Sequence, residues 1–322
     1  MKLLVTGGLG FIGSNFIRYW FKRHSKDTII NIDKVTYAAD FHNLEGIENR
    51  YDYEFVRGDI ANKEIVLKVA KNVDAIINFA AETHVDNSIR NAEDFVRSNV
   101  LGVYNILEVS RKFDIRFHQV STDEVYGMLP INSRAKFTEN SKYAPRNPYS
   151  ATKAAADHLV NAYFNTYKLP VTISNCSNNY GPYQHPEKLI PKAIIKVLLN
   201  KPIPVYGNGM QVRDWIYVMD HCSALEKILL KGEYGQTYLI SANQERRNID
   251  VVKAILRFIG KDSKLIKLVA DRPGHDVRYA IDAKKIIKEL GWKPETKFDE
   301  GLRVTIDHYT ENLDYYLKKV SI

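Results

Sequence analysis

The first half of the chain alternates short apolar runs with longer segments of helical periodicity. The runs are rich in Val, Ile and other strand-forming residues, which is typical of parallel strands buried on both faces. They lie at 3–6, 28–33, 53–57, 75–79, 117–121 and 171–175. Helices are predicted between them at 11–23, 63–71, 92–112 and 149–167. This alternation predicts an α/β fold with a doubly wound parallel sheet that helices cover on both faces.

The pattern is less regular after about residue 176. The stretch at 178–186 is rich in Asn, Tyr, Gly and Pro, which indicates a loop. Short strands are predicted at 204–206 and 237–240, and helices at 189–200, 221–231, 250–259, 283–290 and 298–317. We therefore expect a large domain at 1–176. Residues 177–322 are expected to form mainly a smaller α/β lobe, and the chain can cross back between the two.

A glycine-rich turn follows the first predicted strand. Gly7, Gly10 and Gly13 have the spacing of a dinucleotide-binding motif, whose glycines permit a tight turn, close approach of a pyrophosphate and close helix–strand packing. The free N–H groups at the start of the next helix favour an anion. Because the motif follows a strand and opens a helix, it predicts that 1–176 is a Rossmann-type dinucleotide-binding domain.

Several residues at the ends of the other strands point to the same ligand. Asp33 ends the second strand, where a carboxylate accepts hydrogen bonds from a ribose and repels a 2′-phosphate. NAD is therefore favoured over NADP. Asp59 and Ile60 follow the third strand, and Ala80 and Ala81 follow the fourth. These residues are expected to line one crevice at the carboxyl ends of the strands.

Two clusters carry groups suited to catalysis. Tyr149 and Lys153 are four residues apart on a predicted helix, so they share one face. The ammonium and the positive charge of a cofactor are expected to lower the pKa of the tyrosine toward that of a usable base. Asp123 and Glu124 follow the fifth strand. Two adjacent carboxyls can divide acid and base roles if their environments separate their pKa values.

Over nearly its whole length the chain resembles the extended short-chain dehydrogenase/reductase family. The resemblance is carried by 7–13, Asp33, the segment STDEVYG at 121–127 and the segment YSATK at 149–153. It implies that Tyr149 removes a sugar hydroxyl proton, that Lys153 holds the nicotinamide ribose and that Thr122 hydrogen-bonds the sugar. The carboxyls of Asp123 and Glu124 narrow the resemblance to the nucleoside-diphosphate-sugar 4,6-dehydratases, because the related 4-epimerases typically lack them.

Further segments resemble the dTDP-glucose branch of these dehydratases: AAETHVD at 80–86, NNYGPYQ at 178–184, PEKLIP at 186–191 and DRPGHD at 271–276. The resemblance implies that Arg213 and Arg272 grip a diphosphate, since guanidinium forks suit phosphate oxygens. The other substrate-binding residues that it implies are His84, Asn178, Lys188, Leu189, Pro204, Tyr206, Asn248 and His275. The other cofactor-binding residues that it implies are Phe11, Ile12, Lys34, Thr36, Thr83, Asn99 and Asn179.

The implied reaction oxidises the sugar at C4, removes water across C5 and C6, and returns hydride to C6. Glu124 would take the C5 proton and Asp123 would protonate the departing 6-hydroxyl. Three alternatives stay open: a 4,6-dehydratase for a CDP-, UDP- or GDP-sugar, a 4-epimerase, and an inactive NAD-sensing protein. One departure from the family concerns 36–40, which reads TYAAD where the family usually has TYAGN, so the contacts of that loop are left open.

Composition and charge exclude several other classes. The chain is 45% hydrophobic and 26% charged, which excludes a disordered chain, and no apolar run approaches the ~18 residues of a membrane span. Its net charge of +8 comes from basic residues interleaved with acidic ones, so no nucleic-acid partner is expected. Two cysteines, Cys176 and Cys222, are too few for a disulfide framework or a zinc site, so no metal is expected. A secretory signal pattern is not seen at the N-terminus, which favours the cytoplasm.

The resemblance also implies a homodimer through 92–112 and 149–167, packed as a four-helix bundle.

Overall fold

The computed structural model describes residues 1–271 and 274–319. Its strands are β1 (Lys2–Thr6), β2 (Thr28–Asp33), β3 (Tyr53–Arg57), β4 (Ala75–Asn78), β5 (Arg116–Thr122), β6 (Val171–Cys176), β7 (Asn178–Tyr180), β8 (Ile203–Tyr206), β9 (Val212–Tyr217), β10 (Thr237–Ile240), β11 (Glu245–Arg247) and β12 (Ile266–Val269). The main sheet has seven strands in the order β10-β6-β5-β4-β1-β2-β3, and all neighbours in it are parallel. This is a doubly wound, Rossmann-type sheet, as the sequence predicts.

The helices connect and cover these strands. They are α1 (Phe11–Arg23), α2 (Lys63–Val69), α3 (Val85–Arg90), α4 (Glu93–Phe95), α5 (Gly102–Phe113), α6 (Pro148–Tyr167), α7 (Leu189–Leu198), α8 (Val218–Lys231), α9 (Asn248–Ile259), α10 (Lys284–Leu290), α11 (Phe298–Glu311) and α12 (Leu313–Lys319). A π-helical stretch, Val96–Leu101, joins α4 to α5. Short 3₁₀ turns occur at Phe41–Leu44, Asp123–Tyr126 and Ser263–Leu265. None of the helices in the described ranges is long and apolar enough to cross a bilayer.

Successive side chains of β1 enter two separate apolar layers. Leu3 and Val5 pack in the layer that α1 and α8 cover. Leu4 packs in the opposite layer, which α2, α5 and α6 cover. All three side chains are fully buried. With both faces covered by helices, the carboxyl ends of the parallel strands are the edge at which a ligand can bind.

The remaining elements form a smaller lobe with its own core. β7, β9 and β11 make a three-stranded sheet, and β8 pairs with β12. Around these strands, α7, α9 and α11 pack through Ile194, Ile255 and Leu302. Between β9 and β11 in sequence, α8 and β10 belong to the main sheet and its helical layer. The chain therefore crosses between the two groups of elements more than once.

The six strands predicted in the first half are confirmed to within one residue at each end. The helix predicted at 92–112 is confirmed to within one residue at each end, and it contains a π-helical stretch that the sequence did not reveal, at the position where the Asn99 side chain bonds both backbone groups of Glu82. The loop predicted at 178–186 is wrong in its first residues, which form β7 against β9. The single helix predicted at 298–317 is wrong because it ends at Asn312 and restarts as α12.

Candidate active site

The turn after β1 lets backbone segments approach closely. Gly7 has a φ of 70°, in the left-handed region, and a Cβ there would lie 2.6 Å from the amide nitrogen of Ala80. A Cβ on Gly13 would lie 2.4 Å from the carbonyl oxygen of Gly7. The N-cap of α1 makes no side-chain hydrogen bond. The amides of the first turn of α1 are therefore left to bind an anion.

Asp33 lies buried beside this turn at the end of β2. Its carboxylate accepts hydrogen bonds from the backbone N–H groups of Leu9 (3.1 Å) and Val35 (2.8 Å). Burial raises the pKa of Asp33, and these two N–H groups and Lys34 oppose that effect. Lys34 itself lies 3.0 Å from the carboxylate of Glu82. The cation next to Asp33 therefore has a carboxylate of its own, which weakens any attraction for a 2′-phosphate.

A cleft of about 310 Å³ extends along the carboxyl ends of the main strands. All the residues predicted to bind a cofactor line this cleft except Asn99. They are Gly7, Gly10, Phe11, Ile12, Gly13, Asp33, Lys34, Thr36, Asp59, Ile60, Ala80, Ala81, Thr83, Tyr149, Lys153 and Asn179. Asn99 lies behind the lining, where its amide binds the backbone of Glu82 and, at 2.9 Å, the hydroxyl of Thr152. The glycine turn and the buried carboxylate fit a dinucleotide along this cleft.

Tyr149 and Lys153 line the cleft from the first turns of α6. Asn147 and Ser150 form a capping box at the start of this helix, and Pro148 occupies its first position. The Lys153 ammonium donates to the carbonyl of Val120 at 2.7 Å.

The protonation of these two groups is governed by burial. Burial raises the pKa of Tyr149 well above its ordinary value, and the negative charge of Glu124 acts in the same direction. Burial also lowers the pKa of Lys153. The lowering of the Tyr149 pKa that the sequence predicts depends on the positive charge of a cofactor as well as on the ammonium, so it stays a prediction; in the protein without a cofactor, burial acts in the opposite direction.

Asp123 and Glu124 occupy a 3₁₀ turn at the end of β5. The hydroxyl of Thr122 accepts a hydrogen bond from the backbone N–H of Glu124 at 3.3 Å, which fixes the start of the turn. Asp123 is only 2% exposed. Burial raises the pKa of Asp123 well above its ordinary value, and the charge of Glu124 adds to the effect. Asp123 is thus suited to act as a neutral acid beside a less buried carboxylate.

Some of the predicted substrate-binding residues lie at or near the cleft. Asn178 and Lys188 line it, and the Lys188 ammonium donates to the carbonyl of Thr83 at 3.4 Å. His84 places its Nε2 atom 3.6 Å from the carboxylate of Glu187, another lining residue. Leu189 is the first residue of α7, directly after Lys188.

Others form a group in the smaller lobe, outside the lining of the cleft. The Tyr206 hydroxyl donates to Asp86 at 3.2 Å, and the ring of Tyr206 lies edge-on to His275 with ring centres 6.2 Å apart. His275 is in turn 2.6 Å from the carboxylate of Asp271. Pro204 lies in β8 beside this group. Arg272 lies outside the described residues.

Asn248 and Arg213 occupy further positions in the same lobe. Asn248 begins α9, and its backbone N–H donates to the carbonyl of Gln211 at 2.9 Å. Arg213 is buried on β9, and its guanidinium donates to the carbonyl of Asp276 at 2.9 Å. Its positive charge opposes, without cancelling, the rise in the pKa of Asp123 that burial causes. Arg213 is thus electrostatically coupled to the acidic pair.

The loop that departs from the family pattern has defined contacts. The backbone N–H of Ala39 donates to the carbonyl of Thr36 at 3.0 Å. Because the φ of Ala39 is not positive, this position does not require a glycine. The Asp40 carboxylate caps the turn at Phe41–Leu44 and accepts hydrogen bonds from the hydroxyl of Tyr315 at 2.6 and 2.7 Å and from the ammonium of Lys319. The added carboxylate therefore ties this loop to α12.

Several lining residues were not predicted from the sequence. Cys176 ends β6 and Ser177 directly follows it, so the strand-end rule that selected Asp59 and Ala80 applies to them too. Other lining residues that were not named as ligands include Glu82, Gln184, His185 and Glu187; all of these except His185 lie within the segments that carry the family resemblance. In the described ranges no cluster of His, Cys, Asp and Glu could hold a metal ion.

Comparison with known proteins agrees with this geometry. The family model described as GDP-mannose 4,6 dehydratase matches residues 4–305. The chain belongs to this family. A dTDP-glucose 4,6-dehydratase from Mycobacterium tuberculosis is 48% identical over 317 residues, which are 98% of this chain and 95% of that protein.

Two solved structures have the same fold. A dTDP-glucose 4,6-dehydratase from Bacillus anthracis in complex with NAD is 44% identical with a TM-score of 0.93, covering 99% of this chain and 100% of the other. A dTDP-glucose 4,6-dehydratase from Streptomyces venezuelae with NAD and TYD bound is 40% identical with a TM-score of 0.96, at the same coverage. The match extends over the main sheet and the smaller lobe alike.

Proposed function

We propose that the protein converts dTDP-glucose to dTDP-4-keto-6-deoxyglucose, as a hydro-lyase that uses NAD. The observation that carries this proposal is that Tyr149 and Lys153 line the same cleft as Asp123 and Glu124. The first pair suits oxidation of a hydroxyl group, and the second suits removal of water beside the resulting ketone. The relatives named dTDP-glucose 4,6-dehydratase, 48% identical over nearly the whole chain, support the choice of sugar nucleotide.

NAD is the proposed resident cofactor. The glycine turn and the first amides of α1 would hold its pyrophosphate, and Asp33 would accept hydrogen bonds from the adenosine ribose. Lys153 would hold the nicotinamide ribose. NAD, when bound, would supply the acceptor for hydride from C4 of the sugar and the donor for its return to C6.

The side chains of the site divide the proton transfers between them. Tyr149, assisted by the ammonium of Lys153 and the hydroxyl of Thr122, removes the proton of the 4-hydroxyl. The C5 proton, acidified by the neighbouring ketone, passes to Glu124. Asp123 donates its proton to the departing 6-hydroxyl, a role for which its raised pKa keeps it protonated. A proton returned at C5 completes the product.

The two lobes have separate proposed tasks. Residues 1–176 would supply most of the cofactor site, and 177–322 would mainly supply the binding site of the nucleotide sugar. Within that site, Arg213 and Arg272 would hold the diphosphate with help from Asn248 and Lys188. Pro204, Tyr206 and His275 would flank the thymidine, which agrees with the ring contact between Tyr206 and His275.

A homodimer is the proposed assembly. Large apolar side chains are exposed along the segments expected to pair, namely Val96, Leu101, Tyr104 and Tyr167. A cluster of such residues on a helical surface is typical of an interface. A cytoplasmic location stays a prediction from the sequence.

An isotope experiment tests the reaction. In D₂O the wild-type enzyme should place deuterium at C5 of the product, because Glu124 exchanges the C5 proton with solvent. Substrate labelled with deuterium at C4 should carry that label to C6 of the product. A label that stays at C4, or a product epimerised at C4, would contradict the dehydratase and favour a 4-epimerase. Parallel assays with CDP-, UDP- and GDP-glucose test the choice of nucleotide.

A further inference from the structure

The helical face that carries Tyr149 and Lys153 continues one turn further to a buried acid. Asp157 follows Lys153 by four residues on α6, so the three side chains lie on one face of the helix. It is fully buried, with no exposed side-chain surface. Asp157 is not part of the lining of the cleft, and the proton transfers proposed above do not use it.

Three neutral donors converge on one oxygen of the Asp157 carboxyl. This oxygen accepts hydrogen bonds from the hydroxyl of Ser121 (2.7 Å), the amide of Asn175 (3.1 Å) and the hydroxyl of Tyr143 (3.2 Å). Such convergence suits an ionised carboxylate, which only accepts. Burial raises the pKa of Asp157, and the positive charge of Lys153 is the largest of the effects that oppose this rise and favour the ionised form.

Lys153 is also a buried charged group, so it too is stabilised by an opposite charge nearby. Its side chain is buried, and burial lowers the pKa of Lys153, whereas the negative charge of Asp157 is the largest effect that raises it. A lysine without its proton could not stabilise negative charge on the oxygen of Tyr149. Asp157, buried one turn further along the same face of α6, is therefore placed to favour the charged form of Lys153.

The other titratable groups around this pair do not supply that negative charge. Tyr126 and Tyr143 face Asp157, and Cys176 faces Lys153 from β6. Burial raises the pKa of each, to about 12 for Cys176, so all three are neutral at ordinary pH.

The same carboxylate also joins α6 to the two strands beneath it. Ser121 precedes Thr122 on β5, and the Asn175 amide that binds Asp157 also donates to the carbonyl of Thr122 at 3.2 Å. The helix that presents Tyr149 is thus fastened to the strand end that presents Thr122.

We propose that Asp157 is a positioning residue, which keeps the Lys153 side chain charged and fastens α6 to the end of β5 so that Tyr149 meets the sugar beside Thr122. The proposal rests on the function proposed above, because the charge on Lys153 has its task in that reaction. Its first test nevertheless needs no catalysis.

The first experiment measures the protonation of Lys153 by NMR in holoenzyme labelled with ¹³C at the lysine side chains. Lys153→Arg identifies the signal. In the wild type Lys153 should be charged at neutral pH in spite of its burial. In Asp157→Asn the titration midpoint should move down by about 1–3 pH units, the usual effect of removing a close opposite charge. Ser121→Ala is the matched control, because it removes one hydrogen bond to Asp157 but leaves the charge.

The second experiment follows the oxidation step as NADH absorbance in a Glu124→Gln background, where elimination is slowed. Adding Asp157→Asn should slow this step at neutral pH by about tenfold or more, the factor expected if the lysine loses its proton. Lowering the pH should restore part of the rate as Lys153 is protonated again. Damage to the fold alone would give a loss that low pH does not reverse, and circular dichroism checks the fold.

A Lys153 that is neutral in the wild type at neutral pH would overturn the proposal, and so would an unshifted midpoint in Asp157→Asn. If Asp157→Asn does not fold, the wild-type titration still tests the first of these results, because a neutral Lys153 at neutral pH overturns the proposal by itself. A wild-type enzyme that forms no product from dTDP-glucose would count against the proposed function. The NMR titration would then still confirm or overturn the link between Asp157 and Lys153.

Discussion

Replacing Gly13 by alanine tests whether close packing of α1 against the turn after β1 shapes the nucleotide site. The new Cβ would lie 2.4 Å from the carbonyl oxygen of Gly7 and 2.9 Å from the Cα of Gly8. Ordinary contact begins near 3.4 Å, so one of these segments must move by about 1 Å. Both neighbours are backbone atoms and cannot rotate away. Overpacking usually costs ~1–3 kcal/mol, and a clash with backbone belongs in the upper half of that range.

The assay compares Gly13→Ala with Gly10→Ala in the same turn. A Cβ on Gly10 would meet only the carbonyl oxygen of Gly7, at 3.3 Å. Urea unfolding of the cofactor-free proteins should show a loss of ~2–3 kcal/mol for Gly13→Ala and of ~1 kcal/mol or less for Gly10→Ala, which weakens an N-cap. NAD binding by Gly13→Ala should weaken at least about tenfold, since 1.4 kcal/mol corresponds to a factor of ten.

Two results would refute this reasoning. One is a free energy of unfolding for Gly13→Ala equal to that of Gly10→Ala, which would mean that α1 has room to accept the methyl group. The other is a destabilised Gly13→Ala that binds NAD as tightly as the wild type. That outcome would separate the packing of α1 from the binding site and leave the glycine with a structural role only.

Three further variants test the site and its surroundings. Tyr149→Phe should give almost no NADH in a single turnover, whereas Glu124→Gln should form NADH and slow the loss of water by ~10²–10⁴-fold; equal loss of NADH in both would contradict the division of roles. Because burial raises the pKa of Asp123, its neutral form persists as the pH rises. A pH–rate profile of product formation should therefore fall only above that raised pKa. Asp123→Asn should abolish this fall at alkaline pH. Tyr315→Phe removes the hydroxyl that bonds Asp40 in the loop after β2, so it should lower the free energy of unfolding by ~1 kcal/mol. Tyr51→Phe is its control and should leave that free energy unchanged, because the Tyr51 side chain is 95% exposed.

The sheet and much of the cleft could be predicted because they follow from local rules. A strand buried on both faces needs a continuous apolar run, and the close approaches at Gly7 and Gly13 admit no side chain. Residues at the ends of such strands, for instance Asp33 and Asp59, then meet in the cleft by topology alone.

The parts that could not be predicted depend on partners distant in sequence. β7 resembles a loop in the sequence because Asn178 and Asn179 are polar, and its pairing with β9, distant in sequence, makes it a strand. The π-helical stretch contains Asn99, whose side chain bonds the backbone of Glu82, a partner 17 residues away in the chain. The raised pKa of Tyr149 follows from complete burial, which the spacing from Lys153 does not reveal.

Desolvation has one direction throughout this site, and that limits what the polypeptide can do by itself. It raises the pKa of Tyr149 and of Asp123 and lowers that of Lys153, so each group is pushed toward its neutral form. For Asp123 the neutral form is the one that a general acid needs. In the proposed reaction Lys153 and Tyr149 need the opposite, so a specific neighbour must hold the charge against desolvation; for Lys153 the proposed neighbour is Asp157. For Tyr149 it would be the Lys153 ammonium together with the positive charge of NAD, so the proposed base is expected to become effective only in the complex that contains the hydride acceptor.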